Sequence, residues 1–133
     1  MKPHVAAHLR NAHERLKDAE AALSAGRYAA TADRTYYVMF EAASAMLASL
    51  GLEFDSHYGL KNKFGELLVK AGKVDRKFAD NLSRAFELRE DAVYALDSRA
   101  EIPRDVAEEQ LRKARKFLAM AEQFLGGAGG DCE

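Results

Sequence analysis

The chain has 133 residues, 48% of them hydrophobic and 31% charged, a composition that fits one globular domain and excludes bulk disorder. Its 20 basic and 21 acidic residues leave a formal net charge of −1, so whole-molecule attraction to nucleic acid or to an anionic membrane is not indicated. The single cysteine, Cys132, excludes an intrachain disulfide, and with no signal-peptide core and no apolar run of bilayer length a cytoplasmic location is expected.

Hydrophobic periodicity predicts an all-α fold of five helices. The first covers about residues 4–24, with the stripe Val5, Leu9, Ala12, Leu16, Ala19, Leu23, and Gly26 stops it. The second covers 27–50 and is the most apolar. Tyr36, Met39, Phe40, Ala43, Met46, Leu47 and Leu50 cover more than one face, and the small residues Ala42, Ala43, Ser44 and Ala45 allow close helix approach. This is the expected central helix, ended by Gly51. Residues 51–58 form a connection in which Asp55 or Ser56 caps a short third helix, 58–71, bearing Leu60, Phe64, Leu67 and Leu68. Asp75 caps the fourth, 76–97. Pro103 opens the fifth, 103–125, with the stripe Ala107, Leu111, Ala114, Leu118, Ala121, Leu125, widened by Phe117, Met120 and Phe124. Residues 1–125 read as one domain and 126–133 as a flexible Gly-rich tail. Short links between long amphipathic helices imply an up-and-down antiparallel bundle of four long helices plus one short one. The wide apolar surfaces of the second and fifth helices point to a homodimer.

The fourth helix holds the most informative residue. Its stripe runs Phe78, Leu82, Ala85, Arg89, Ala92, Leu96, and only Arg89 is not apolar. A guanidinium keeps its charge and is rarely buried without a carboxylate. Arg89 is therefore expected either in an ion pair inside the bundle, with Asp33 or Glu41, or facing a polar cleft. In the second case Arg34 and Arg89 contact phosphate, Tyr36, Tyr37 and Tyr94 stack or donate hydrogen bonds, and a carboxylate such as Asp91 helps orient an arginine. The candidate ligand-binding set is Arg34, Tyr37, Arg89, Asp91 and Tyr94.

Other features are weaker. His57, in the loop before the third helix, has the titration range for acid–base work, although loop histidines usually cap or bond to backbone. His4 and His8 stand one helical turn apart without an evident third ligand, so no metal is expected. Lys61, Lys63, Lys70, Lys73, Arg76 and Lys77 make a basic stretch that reads as a solvated face. Phosphate-cradling glycine loops, paired CxxC motifs and nucleophile elbows are absent, and no cofactor is implied.

The block Ala32-Asp33-Arg34-Thr35-Tyr36-Tyr37-Val38-Met39-Phe40-Glu41-Ala42-Ala43 resembles HEPN domains. Gly51 and His57, Phe64 with Val69-Lys70-Ala71-Gly72, and Leu88-Arg89-Glu90-Asp91-Ala92-Val93-Tyr94 extend the likeness over about residues 8–125. It is nearest to small stand-alone prokaryotic members. The resemblance implies a bundle of four or five helices, commonly dimeric, and often encoded beside a minimal nucleotidyltransferase as a toxin–antitoxin pair. Catalytic members are metal-independent RNases whose motif is an arginine followed, after four to six residues, by a histidine. Arg89 matches that arginine. The histidine has no match: position 94 is Tyr94, and no histidine follows His57. Three readings stay open: a non-catalytic partner of a nucleotidyltransferase or a nucleotide- or nucleic-acid-binding module, an RNase toxin using Arg89 with Tyr94 or His57 as the substitute, and a ligand-free helical adaptor.

Overall fold

The helix at residues 28–48 is enclosed on nearly every side. Val38, Met39, Ala42, Ala43, Ala45, Met46 and Leu47 are all fully buried. Such a helix needs neighbours all round, and the remaining helices supply them. The structure, a computed structural model, describes residues 2–98 and 101–128, with backbone alone at 94–98 and 127–128. It contains α1 (Pro3–Ser24), α2 (Tyr28–Ala48), α3 (His57–Phe64), α4 (Arg76–Ser98) and α5 (Arg104–Ala128), and among the described residues there is no strand. The all-α expectation holds, with boundaries displaced by a few residues at most. The largest displacement is at the C-terminus, where the helix continues through Ala128 instead of giving way to a tail at 126. Cys132 lies outside the described residues.

Contacts between helices fix their directions. The start of α1 meets the late part of α2 through His8 and Glu41, and it meets the end of α5 through Val5 and Leu125. The start of α2 meets the end half of α4 through Asp33 and Arg89. Thus α1 and α4 run against α2, while α5 runs with it. This is up-down-up-down order, with α2 and α5 on the diagonal. The diagonal pair packs closely because both present alanines, Ala42, Ala43 and Ala45 on one and Ala107, Ala114 and Ala121 on the other. Phe64 stacks on Phe117 with centroids 5.7 Å apart, closing the core beneath α3. One chain therefore already buries most of α2 and the whole main stripe of α5, Phe117 included; Met120 and Phe124 are partly covered.

Two local devices position the segment between α2 and α3. Gly51, at φ 85°, ends α2: its N–H donates to Ala48, and the Leu52 N–H donates to Leu47 at 3.0 Å. This paired closure needs a left-handed residue, which glycine adopts without steric cost. Ser56 then caps α3, its Oγ accepting from the Gly59 N–H at 3.1 Å. Past Phe64 the helix widens into a π segment, Gly65–Val69, with Lys70 N–H donating to Gly65 at 2.9 Å. Leu60, Phe64 and Leu68 recur every four residues and are all buried. An ideal α-helix would rotate Leu68 away from Leu60 by about 80°, and the wider turn keeps the three on one face. Asp75 caps the α4 segment as expected, accepting from the Lys77 N–H at 2.8 Å.

Candidate functional site

Leu88, not Arg89, occupies the inward position on α4. The buried line there is Leu82, Ala85, Leu88, Ala92. Arg89 stands at the margin of this line, its side chain 28% exposed. Of the two expected settings, the pair with Asp33 is present but not enclosed in the bundle: an α-helix turns by 3.6 residues, so a stripe stepped in threes and fours drifts, and Leu88 takes the inward place that strict spacing gave to Arg89.

Across from Arg89, α2 presents Asp33, Tyr36, Tyr37 and Phe40, spaced to share one face. Arg89 Nε lies 3.4 Å from Asp33 Oδ1, and Nη1 donates to Glu90 Oε2 at 2.9 Å. The Asp33 contact is a charge pairing with poor hydrogen-bond alignment, and Nε is left buried without a hydrogen-bond acceptor. The guanidinium sits 5.3 Å from the Tyr37 ring centre and 5.9 Å from that of Tyr36, within cation–π range. Burial works against the Arg89 charge, but Tyr37, Asp33 and Glu90 outweigh it and raise the pKa above its ordinary value. Arg34 bonds to the Asp33 carboxylate and is itself half exposed. Of the two carboxylates proposed for Arg89, Asp33 is the partner. Glu41 is not: it receives His8 Nδ1 at 2.8 Å, while His8 Nε2 meets Glu53 at 3.0 Å. Two helical turns separate Asp33 from Glu41, too far for one guanidinium near the start of α2 to reach both.

The fold brings His57 to the same cluster. Its Nδ1 lies 3.3 Å from the Tyr36 hydroxyl, and its ring stacks on Phe86 at 3.8 Å with planes 8° apart. Phe86, one turn before Arg89 and Glu90, also meets Tyr36 at 5.6 Å. Burial first, then the charge of Lys61, lowers the His57 pKa, against a smaller opposing pull from Glu90. Burial also pushes the Tyr36 phenol up, with Tyr37 and Glu90 adding to the shift and Arg89 opposing it. Near neutral pH the pair is accordingly an uncharged imidazole beside an uncharged phenol. Nothing in the sequence links His57 to Arg89; only the Gly51 turn and the Ser56 cap place it there.

Asp91 is exposed, two residues beyond Arg89, and residues so spaced face different sides of a helix. The Tyr94 side chain lies outside the described residues. His4 is 4.0 Å from Glu53, and His8 is held by two carboxylates. The basic residues around α3 are mostly solvated; Lys63 pairs with Glu66 and Lys77 lies over Phe78. Sequence reasoning missed Phe86, which anchors the His57 ring, because a partly buried phenylalanine beside an apolar stripe reads as ordinary core.

A concavity of about 200 Å³ lies between α4 and α5, where those helices barely touch. Arg84, Leu88, Asp105, Glu109, Gln110 and Lys113 line it, and the buried Gln110 Oε1 has no partner there.

An antiparallel bundle whose second and fourth helices hold an arginine among carboxylates and tyrosines defines a helical module with an arginine-centred, aromatic-walled cluster. The HEPN domain family model matches residues 5–124, and the chain belongs to that family. A UPF0332 protein of Thermotoga maritima is 33% identical over 116 residues, covering 87% of this chain and 86% of its own. A UPF0332 protein of Archaeoglobus fulgidus is 32% identical over 117 residues, covering 88% and 91%. A Methanocaldococcus jannaschii protein named "Putative toxin MJ0605" is 26% identical over 114 residues, covering 86% and 83%. No helix among the described residues is long and apolar enough to cross a membrane.

Proposed function

We propose that this chain is a HEPN module that binds a nucleotide or nucleic-acid phosphate at Arg89 without cleaving it, and that it works as a homodimer paired with a minimal nucleotidyltransferase in a toxin–antitoxin-like system. The observation that carries the ligand reading is the state of Arg89. Its Nε and Nη1 are steered by Asp33 and Glu90, its carbon lies 5.3 and 5.9 Å from the centres of two tyrosine rings, and the buried Nε is left without a hydrogen-bond acceptor. A guanidinium held in this way loses little freedom on binding an oxyanion, and an orphaned donor calls for a partner. The dimer and the nucleotidyltransferase rest on the family resemblance; the relative named as a toxin fits that setting.

Cleavage is not expected, because the family's RNase motif lacks its histidine and an unperturbed phenol, with a pKa of about 10, is a poor substitute. One observation favours a second reading, an RNase using His57: the uncharged imidazole shares Tyr36 with Arg89. Incubating the purified protein with tRNA or total RNA in EDTA separates the two. Retained RNA with no cleavage supports the first; cleavage lost in both Arg89→Ala and His57→Gln supports the second. Co-expression with a neighbouring nucleotidyltransferase gene, followed by co-purification, tests the partner.

A further inference from the structure

His8 has a carboxylate on each of its ring nitrogens. Nδ1 lies 2.8 Å from Glu41 on α2, and Nε2 lies 3.0 Å from Glu53, in the segment between α2 and α3. Only an imidazolium donates at both nitrogens, because a neutral imidazole carries one N–H and one lone pair. Loss of a proton therefore turns one of the two hydrogen bonds into a lone pair facing a carboxylate oxygen. The two carboxylates are not equivalent. The Glu41 side chain is 20% exposed, like that of His8, whereas Glu53 is 50% exposed. Breaking the bond to Glu41 would deprive a mostly buried carboxylate of its donor, while Glu53 can turn to water. The remaining proton is thus held at Nδ1, and the bond that breaks is the one to Glu53.

Glu41 faces His8 from α2 and Glu53 from the loop. Burial disfavours the imidazolium, and the hydrogen bonds and charges of these two carboxylates overcome it, so the pKa is raised. The end of α5 meets this part of α1 through Phe124 and Leu125, which bear no charge. On α1 itself His4, one turn earlier, stands 4.0 Å from Glu53, beyond hydrogen-bond distance, and is exposed. The segment that holds Glu53 is short. It runs from Gly51, which ends α2, to Ser56, which caps α3, and it delivers His57 to Tyr36 and Phe86. The His8–Glu53 bond ties this segment to α1.

We propose that His8 is a proton-operated latch: its imidazolium fastens the segment 52–55 to α1 through Glu53, and its neutral Nδ1–H form keeps Glu41 and releases that segment. The latch is independent of what Arg89 binds. It acts on the approach to His57, which in the released form is positioned by the Gly51 turn and by the packing of Leu52 and Phe54 on the core. With the folded value raised above the ordinary 6.5, the latch is closed on the acidic side and opens as pH rises through that folded value.

Nitrogen-15 NMR of the full chain tests this, from about pH 5.5, above the ordinary carboxylate range, to about pH 8.5. Above the His8 transition the ring is expected as the Nδ1–H form with a bare Nε2. Across the same transition the backbone order parameters at Glu53 and Phe54 fall from the rigid value of about 0.85 toward the flexible value of about 0.6. His8→Gln loses this pH response and His4→Gln keeps it. Glu53→Gln also loses it, with the segment held throughout, because a glutamine amide donates to the bare Nε2 and accepts from the protonated one. A thermal melt checks that each variant is folded. An Nε2–H form of His8 above the transition overturns the latch, as does a segment equally ordered on both sides of it. A pH response that survives in His8→Gln or in Glu53→Gln overturns it as well.

Discussion

Leu88 and Arg89 are adjacent in sequence but differ in environment: Leu88 is buried against Ala32, Ala92 and Ile102, whereas Arg89 lies partly exposed beside Asp33. One residue of helix rotation divides the buried face of α4 from the edge that carries Arg89.

Substitutions at these two positions should therefore behave differently. Leu88→Ala removes buried apolar volume and is expected to destabilise by about 2–5 kcal/mol. Arg89→Ala breaks a partly solvated pairing and a cation–π contact, and should cost no more than about 2 kcal/mol. A fully buried pair would cost about 3–5 kcal/mol instead. Urea denaturation of both variants measures the contrast.

His8 clamps α1 to α2 and to the loop leading to His57, through Glu41 and Glu53. Burial opposes its protonation, but the hydrogen bonds that His8 donates to the two carboxylates, with their charge, dominate and the pKa is raised. A raised folded pKa means the stabilisation is complete below the unfolded value of about 6.5 and disappears as pH rises through the folded value. Melting midpoints of wild type minus His8→Gln should therefore shrink as pH rises from about 6 to about 8. Comparison with His8→Gln cancels the opposite contribution of His57, whose lowered pKa costs stability as pH falls.

His57 should matter more for the site than for the fold. His57→Gln removes a ring stacked on Phe86 and the contact to the Tyr36 hydroxyl, and is expected to cost about 1–2 kcal/mol. Without an RNase function it leaves RNA integrity in EDTA unchanged, which a gel of incubated tRNA reads directly.

The proposed homodimer should appear as twice the chain mass in light scattering at micromolar concentration. Because one chain already covers most of α2, association has to use surface that the monomer leaves open. Val93, an exposed apolar residue one turn beyond Arg89, is the position to test. Val93→Glu should lower the measured mass without lowering the melting midpoint.

How much of this was legible in the sequence follows from the physics of each element. The α5 stripe was fully legible: all six of its residues are buried, because a long helix packed along its length keeps strict periodicity. The cap at Asp75 was equally readable, since capping is local, and the cap of α3 was readable to within one residue, Asp55 or Ser56, of which Ser56 makes the bond. The α4 stripe was readable only to within one residue, the limit set by rotational drift. The partners of Arg89 were half legible: Asp33 was named correctly, but Glu41 was claimed by His8 from another helix, a competition that no pattern within α2 announces. The approach of His57 to Tyr36 depends on two turns and a long-range return, and it needed the fold.

The central question is whether Arg89 holds a phosphate. Titrating labelled oligoadenylate with wild type and Arg89→Ala, at low and high salt, measures this. Saturable, salt-weakened binding is expected, falling at least about tenfold in Arg89→Ala, with a melting midpoint close to that of the wild type. Equal binding by a folded Arg89→Ala would contradict it.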